Sequence, residues 1–123
     1  MPENAQSAGE VEVQRAILDV ATEDWYGLWE IYDHAALVLH RAAGKTLREE
    51  LRRQLRAMMA RGLLEAAIWT EGPPRAVSPD EVRFLPIDSE LWGSPMNLHS
   101  VEQLRITATE AGDRLYFENS KQV

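Results

Sequence analysis

The stretch Thr46-Leu47-Arg48-Glu49-Glu50-Leu51-Arg52-Arg53-Gln54-Leu55-Arg56-Ala57-Met58-Met59-Ala60-Arg61-Gly62-Leu63-Leu64 decides how this chain folds. Leu47, Leu51, Leu55, Met58 and Met59 recur at intervals of three and four, the spacing of one helical face. Thr46 and Glu49 stand three apart, as in a capping box, where hydroxyl and carboxylate satisfy free N–H groups at a helix start. Gly62 predicts the end of the helix, because glycine takes a positive φ without steric cost. Leu63 to Thr70 then reads as a strand. The other side of the same helix is cationic. Arg48, Arg52 and Arg56 fall at i, i+4 and i+8 and form one stripe, with Arg53 beside it.

Working outward, the N-terminal side predicts two more helices. Val13, Ile17, Leu18 and Ala21 define a helix from Glu10 to about Ala21, and Thr22-Glu23-Asp24 break it. A second helix is expected from Trp25 to Ala43, with a broad apolar face that includes Leu28, Ile31, Tyr32 and Ala35 and with Gly44 as its stop. On the C-terminal side, Glu71-Gly72-Pro73-Pro74 reads as a turn. Ser78-Pro79-Asp80-Glu81 is a second capping box, with Pro at the favoured first position of a short helix that Pro86 interrupts. Asp88 to Trp92 suggests a further helical turn, and Gly93 to Asn97 a loop. Leu104, Ile106 and Ala108 alternate with Arg105, Thr107 and Thr109, which predicts a half-buried strand from Gln103 to Thr109. Thr109 then caps a short final helix from Ala111 to about Phe117. The expected organisation is a tail over 1–9, one domain over 10–118 with an inserted helical segment at 76–100, and a tail over 119–123.

With 123 residues and 45% hydrophobic content, the chain suits one α+β domain that closes its own core. It contains no Cys, which excludes disulfides, thiolate metal sites and a Cys nucleophile. Met1 to Gly9 carries neither the basic nor the apolar segment of a signal peptide, so the expected location is cytoplasmic, without membrane contact. The net charge is −7, yet the charge is uneven. Arg41, Lys45, Arg48, Arg52, Arg53, Arg56 and Arg61 place seven of the 13 basic residues in one short window, which holds only Glu49 and Glu50 of the 20 acidic ones. Local charge of this kind sets where a polyanion docks.

Leu55 to Leu63 (Leu-Arg-Ala-Met-Met-Ala-Arg-Gly-Leu), with Leu28-Trp29-Glu30-Ile31 before it and Leu104 to Gly112 (Leu-Arg-Ile-Thr-Ala-Thr-Glu-Ala-Gly) after it, resembles the winged helix-turn-helix family of the bacterial MarR-like or PadR-like kind. The likeness covers roughly Val11 to Phe117. It implies a mostly helical α+β fold: a three-helix core, a two-stranded β wing and a short C-terminal helix. It also implies a dimeric DNA-binding transcriptional regulator whose 46–62 helix enters the major groove of double-stranded DNA, with the Thr70 to Arg75 turn near the wing. This sequence departs from the family in its long aromatic second helix and in the insertion between the wing strands.

The DNA-contacting residues implied are Arg41, Lys45, Arg48, Arg52, Arg53, Arg56 and Arg75, with Gln54 as a further reader of sequence. Each also has a plainer reading. The arginine stripe suits a solvated face paired with Glu49 and Glu50. Arg41 and Lys45 suit a helix dipole, and Arg75 an exposed loop. Trp25, Tyr26, Trp29 and Tyr32 could line a ligand pocket or a dimer interface, but core is the favoured reading. Trp69 and Trp92 are expected to pack the wing and its insertion onto the body. His34, His40 and His99 share no metal-ligand spacing, so no metal or other cofactor is expected. Gly44-Lys45-Thr46 lacks the glycine that a phosphate-binding loop needs five residues earlier, where Leu39 stands. No Ser, His or Asp sits in a nucleophile setting, so an enzyme is not expected. The rival to DNA binding is a winged-helix module that binds another protein.

Overall fold

The structure, a computed structural model, describes residues 8–70, 72–93 and 102–120. The described residues form an α+β fold with five α-helices and a four-stranded antiparallel sheet. The helices are α1 (Ala8–Ala21), α2 (Leu28–Val38), α3 (Lys45–Ala60), α4 (Pro79–Arg83) and α5 (Glu110–Ser120). The strands are β1 (Tyr26–Gly27), β2 (Leu64–Trp69), β3 (Arg75–Val77) and β4 (Gln103–Ala108), and a 3-10 turn spans Glu90–Trp92. Of the expected tail over 1–9, residues 1–7 lie outside the described residues, and Ala8 and Gly9 open α1. Residues 94–101 and 121–123, which hold part of the expected insertion, His99 and the C-terminal end, also lie outside them.

One core joins helices and sheet. α1 contributes Val13, Ala16, Ile17 and Leu18, α2 contributes Leu28, Ile31 and Ala35, and α3 contributes Leu47, Leu51, Leu55 and Met58. Leu64 and Ala66 of β2 and Leu104 and Ile106 of β4 close it, all on one face because side chains in a strand alternate. The strand order is β1-β4-β2-β3. Leu64 pairs with Ala108 and Trp69 with Gln103, so β2 and β4 match along their whole length. On the opposite face the Arg105 guanidinium lies 4.9 Å from the Trp69 ring centre, and Trp25 meets Trp69 edge-on at 6.0 Å.

Three side-chain ties hold distant elements together. Asp19 accepts the Tyr116 hydroxyl at 2.7 Å and contacts His34 Nε2 at 3.1 Å, so one carboxylate joins α1, α2 and α5. That bond raises the Tyr116 phenol above its ordinary value, with burial acting the same way. Thr109 donates its hydroxyl to the Gly62 carbonyl and its N–H to the Leu63 carbonyl, which ties the exit of β4 to the exit of α3. Gly112 is required there: a Cβ on it would come within 2.2 Å of the Leu63 oxygen. In the third tie, buried Gln14 donates to buried Gln54 at 2.8 Å between α1 and α3.

The structure corrects several expectations. The sheet has four strands, not two: β1 adds to β4, and β3 adds to the outer edge of β2. α2 starts at Leu28 instead of Trp25, because Tyr26 and Gly27 pair with Ile106 and Arg105. It ends at Val38, well before Gly44. His40 turns left-handed at φ 53°, with Arg41 N–H bonded to Ala36 O and His40 N–H to Leu37 O, the bonding of a Schellman cap. The same pattern closes α3 on Gly62 at φ 75°, where a glycine does stand. The capping box expected at Thr46 does not form. α3 begins at Lys45 from an extended Gly44 with no side-chain cap, so Thr46 already lies inside the first turn. The box at Ser78 does form, with both of its hydrogen bonds present. α5 reaches Ser120, past the expected Phe117.

Two expected outcomes follow from these contacts. His40→Gly removes the steric cost of a left-handed non-glycine residue, offset in part by added freedom in the unfolded chain. It should raise stability by roughly 0.5–1 kcal/mol in urea unfolding at constant m-value. Gln54→Leu should lower stability by about 1–3 kcal/mol, because it strands the Gln14 amide, whereas Gln14→Leu/Gln54→Leu should recover most of that loss.

Candidate nucleic-acid interface

α3 buries Leu47, Leu51, Leu55 and Met58, so whatever faces away from them meets solvent or the inserted segment. That segment runs through α4 to the 3-10 turn and is seated by Val82, Leu85 and Trp92, all buried. Trp92 meets Tyr32 of α2 edge-on at 5.7 Å and donates its Nε1–H to Pro86 O at 3.1 Å. Of the aromatics expected in the core, Tyr32 is buried there, whereas Trp25, Tyr26 and Trp29 are half-buried. Trp25 borders an open groove of about 420 Å³ beside Met59, Pro74 and Val77.

The insertion reassigns part of the arginine stripe. Arg52 donates to the Leu85 carbonyl at 2.8 Å, which fastens the segment to the middle of α3. Arg48 donates to the Tyr32 hydroxyl at 3.1 Å, lies 5.7 Å from that ring centre, and has a buried Nε with no partner. Both arginines are half-buried and turned toward neighbours within the fold. Gln54 is 3% exposed and bonded to Gln14, so it faces the core and not a groove of DNA. Arg41 forms an ion pair with Glu50. Arg75, at the start of β3, pairs with Glu81 at 2.8 Å. The hydrogen bond between them holds Arg75 above and Glu81 below its ordinary pKa, with their opposite charges acting the same way.

Arg53, Arg56 and Lys45 remain. Lys45 is exposed at the first turn of α3. Arg53 is exposed about 200° round the helix from Leu51. Arg56 is half-buried, and its Nε is buried with no partner. Arg53 and Arg56, together with Arg52 and Glu49, border a cleft of about 340 Å³ whose far wall is Arg83 of α4. Sequence reading missed Arg83. Its signal was present in the Ser78 capping box, which sets a helix ending at that residue, but only folding brings it opposite Arg53. Its guanidinium lies 5.5 Å from the ring centre of Phe84, which is 74% exposed. Among the described residues, no ion pair engages Arg52, Arg53, Arg56 or Arg83.

The structure thus gathers Arg52, Arg53 and Arg56 of the expected contact set, adds Arg83, and leaves Arg41, Lys45, Arg48 and Arg75 outside the cleft. Chemically, it can hold oxyanions: guanidinium forks match pairs of phosphate or carboxylate oxygens. Among the described residues, no cluster of three His, Asp or Glu side chains is placed to hold a metal ion, and no helix is long and apolar enough to cross a membrane. Comparison of the chain with protein-family models, with curated proteins and with solved structures found no match.

Proposed function

We propose that this chain is a winged-helix DNA-binding domain of a dimeric transcription regulator, which docks the outward face of α3 on double-stranded DNA. The observation that carries the reading is the cationic face itself. Arg53 and Arg56, with Arg83 opposite them, line an open cleft and have no carboxylate partner among the described residues, in a chain of net charge −7. The connection order supports it too. α1, β1, α2, α3, β2 and, after β3 and the inserted segment, β4 come in that order, with β4 seated between β1 and β2, an arrangement that resembles a winged helix. In this reading the β2–β3 hairpin is the wing. Phosphate contacts from Arg53, Arg56, Arg83 and Lys45 supply affinity, and Arg53, farthest from the core, is the side chain best placed to reach a base edge. Arg48 and Arg52 support the surface from behind. Dimerisation would use α1 and α5, which pack together and expose Val11 and Phe117.

The rival, a protein-binding module, draws on one specific observation. The insertion occupies a flank of α3 and presents an exposed Phe84 beside Arg83. Fluorescence anisotropy with a mixed-sequence duplex, at low and at physiological salt, separates the two. DNA binding predicts an affinity that falls steeply with salt, because each neutralised phosphate releases counterions. It also predicts a loss of about tenfold or more in Arg53→Ala/Arg56→Ala, the size of a lost pair of charge-assisted contacts. Absence of binding at low salt would discard this reading in favour of the protein partner.

A further inference from the structure

Four arginines of this acidic chain are neutralised locally or rest on an aromatic face. Arg41 has Glu50, Arg75 has Glu81, Arg114 has Glu110, and Arg105 lies over Trp69. The cleft between α3 and α4 gathers the charge instead. Four guanidiniums line it against the single carboxylate of Glu49, and that carboxylate forms no ion pair with any of them among the described residues. Like charges gathered this way repel one another, and acidic residues are plentiful elsewhere in the sequence.

Three of these arginines, Arg52, Arg56 and Arg83, rest against neutral groups. The Leu85 carbonyl takes one N–H of Arg52, the stem of Arg56 is sunk far enough to bury its Nε, and the Phe84 ring lies under Arg83. A carbonyl, an aromatic face and packing fix a guanidinium in position without cancelling its charge. A set of donors held that way is preorganised for an anion supplied from outside.

The dimensions narrow the ligand. At about 340 Å³ the cleft sits at the small end of the range of small-molecule sites, roughly 300–1,000 Å³. Its donors come from two helices, so a ligand that uses them all must span the gap between Arg53 and Arg83. We propose that the cleft binds a compact polyphosphate, two or three linked phosphates, either free or at the end of a nucleotide. The α3 arginines take one end of the phosphate chain and Arg83 the other. This site goes beyond the DNA reading and stands without it, because its ligand is small and needs no wing.

The test is isothermal titration calorimetry on the full chain with sodium tripolyphosphate, at ionic strength matched with sodium chloride. Orthophosphate, citrate and adenosine triphosphate serve as comparison ligands. The expected result is one-to-one binding of tripolyphosphate, about tenfold or more tighter than orthophosphate or citrate, because a chain of linked phosphates offers several oxygens to the guanidiniums of both helices at once. Arg83→Ala and Arg53→Ala, both at exposed positions, should each weaken it about tenfold or more while the thermal midpoint without ligand stays unchanged. Adenosine triphosphate binding as tightly as tripolyphosphate would assign the site to the phosphates alone. Tighter binding would assign part of it to a nucleoside set against Phe84. Heats no larger than those of the chloride control would overturn the proposal, as would undiminished binding in Arg83→Ala. Tripolyphosphate binding without duplex binding would remove the DNA reading and leave this one standing. The converse would remove this site alone.

Discussion

The burial of one face of α3 is the constraint on which the rest of the structure depends. Leu47, Leu51, Leu55 and Met58 are fully withdrawn from water. Each such side chain contributes about 1.5–3 kcal/mol against exposure. With those four positions committed, the rotation of the helix is set, and every other side chain on it falls where 100° per residue sends it. The arginines are therefore placed by the leucines. Gln54 follows the same rule: it stands one position before Leu55, lands on the buried side, and needs Gln14 as a partner there.

The inserted segment then divides the arginines into two kinds. It reaches α3 through Val82 and Leu85 and continues to α2, where Trp92 lies against Tyr32. Arg48 and Arg52, on the flank it approaches, become internal donors to a hydroxyl and a carbonyl. Arg53 and Arg56, further round the helix, keep their charge available. A stripe that is uniform in sequence is thus split by a segment more than 25 residues downstream.

Much of this was legible in the sequence, for stateable reasons. α1, α3 and β4 carry clear hydrophobic periods, β2 falls within the strand read after Gly62, Gly62 marks a real left-handed stop, and the Ser78 box forms as written. What failed depends on partners or on short elements. β1 is two residues long, too short to show a period, and exists because β4 offers it a partner. β3 sits behind Gly72-Pro73-Pro74 and shows no alternation. The end of α2 was hidden because His40, not a glycine, takes the left-handed position. At Thr46 the capping motif was present but lay one residue inside the helix that formed. For the site, residue type and helix face could be read from spacing. The direction of Arg48 could not, since it follows from Tyr32 of α2, nor could that of Arg52 or the arrival of Arg83, which depend on where the insertion folds back.

The order of the sheet has one more consequence. Its two long strands, β2 and β4, are paired with each other along six residues and lie in the middle. The outer positions fall to β1 and β3, of two and three residues. A lateral strand edge is a template on which another chain can hydrogen-bond, and short edges are a common natural defence against this. Here the sheet terminates itself: a second molecule adding to either side would find two or three residues of ladder at most. The two-residue strand that sequence reading overlooked thus helps guard the fold against aggregation.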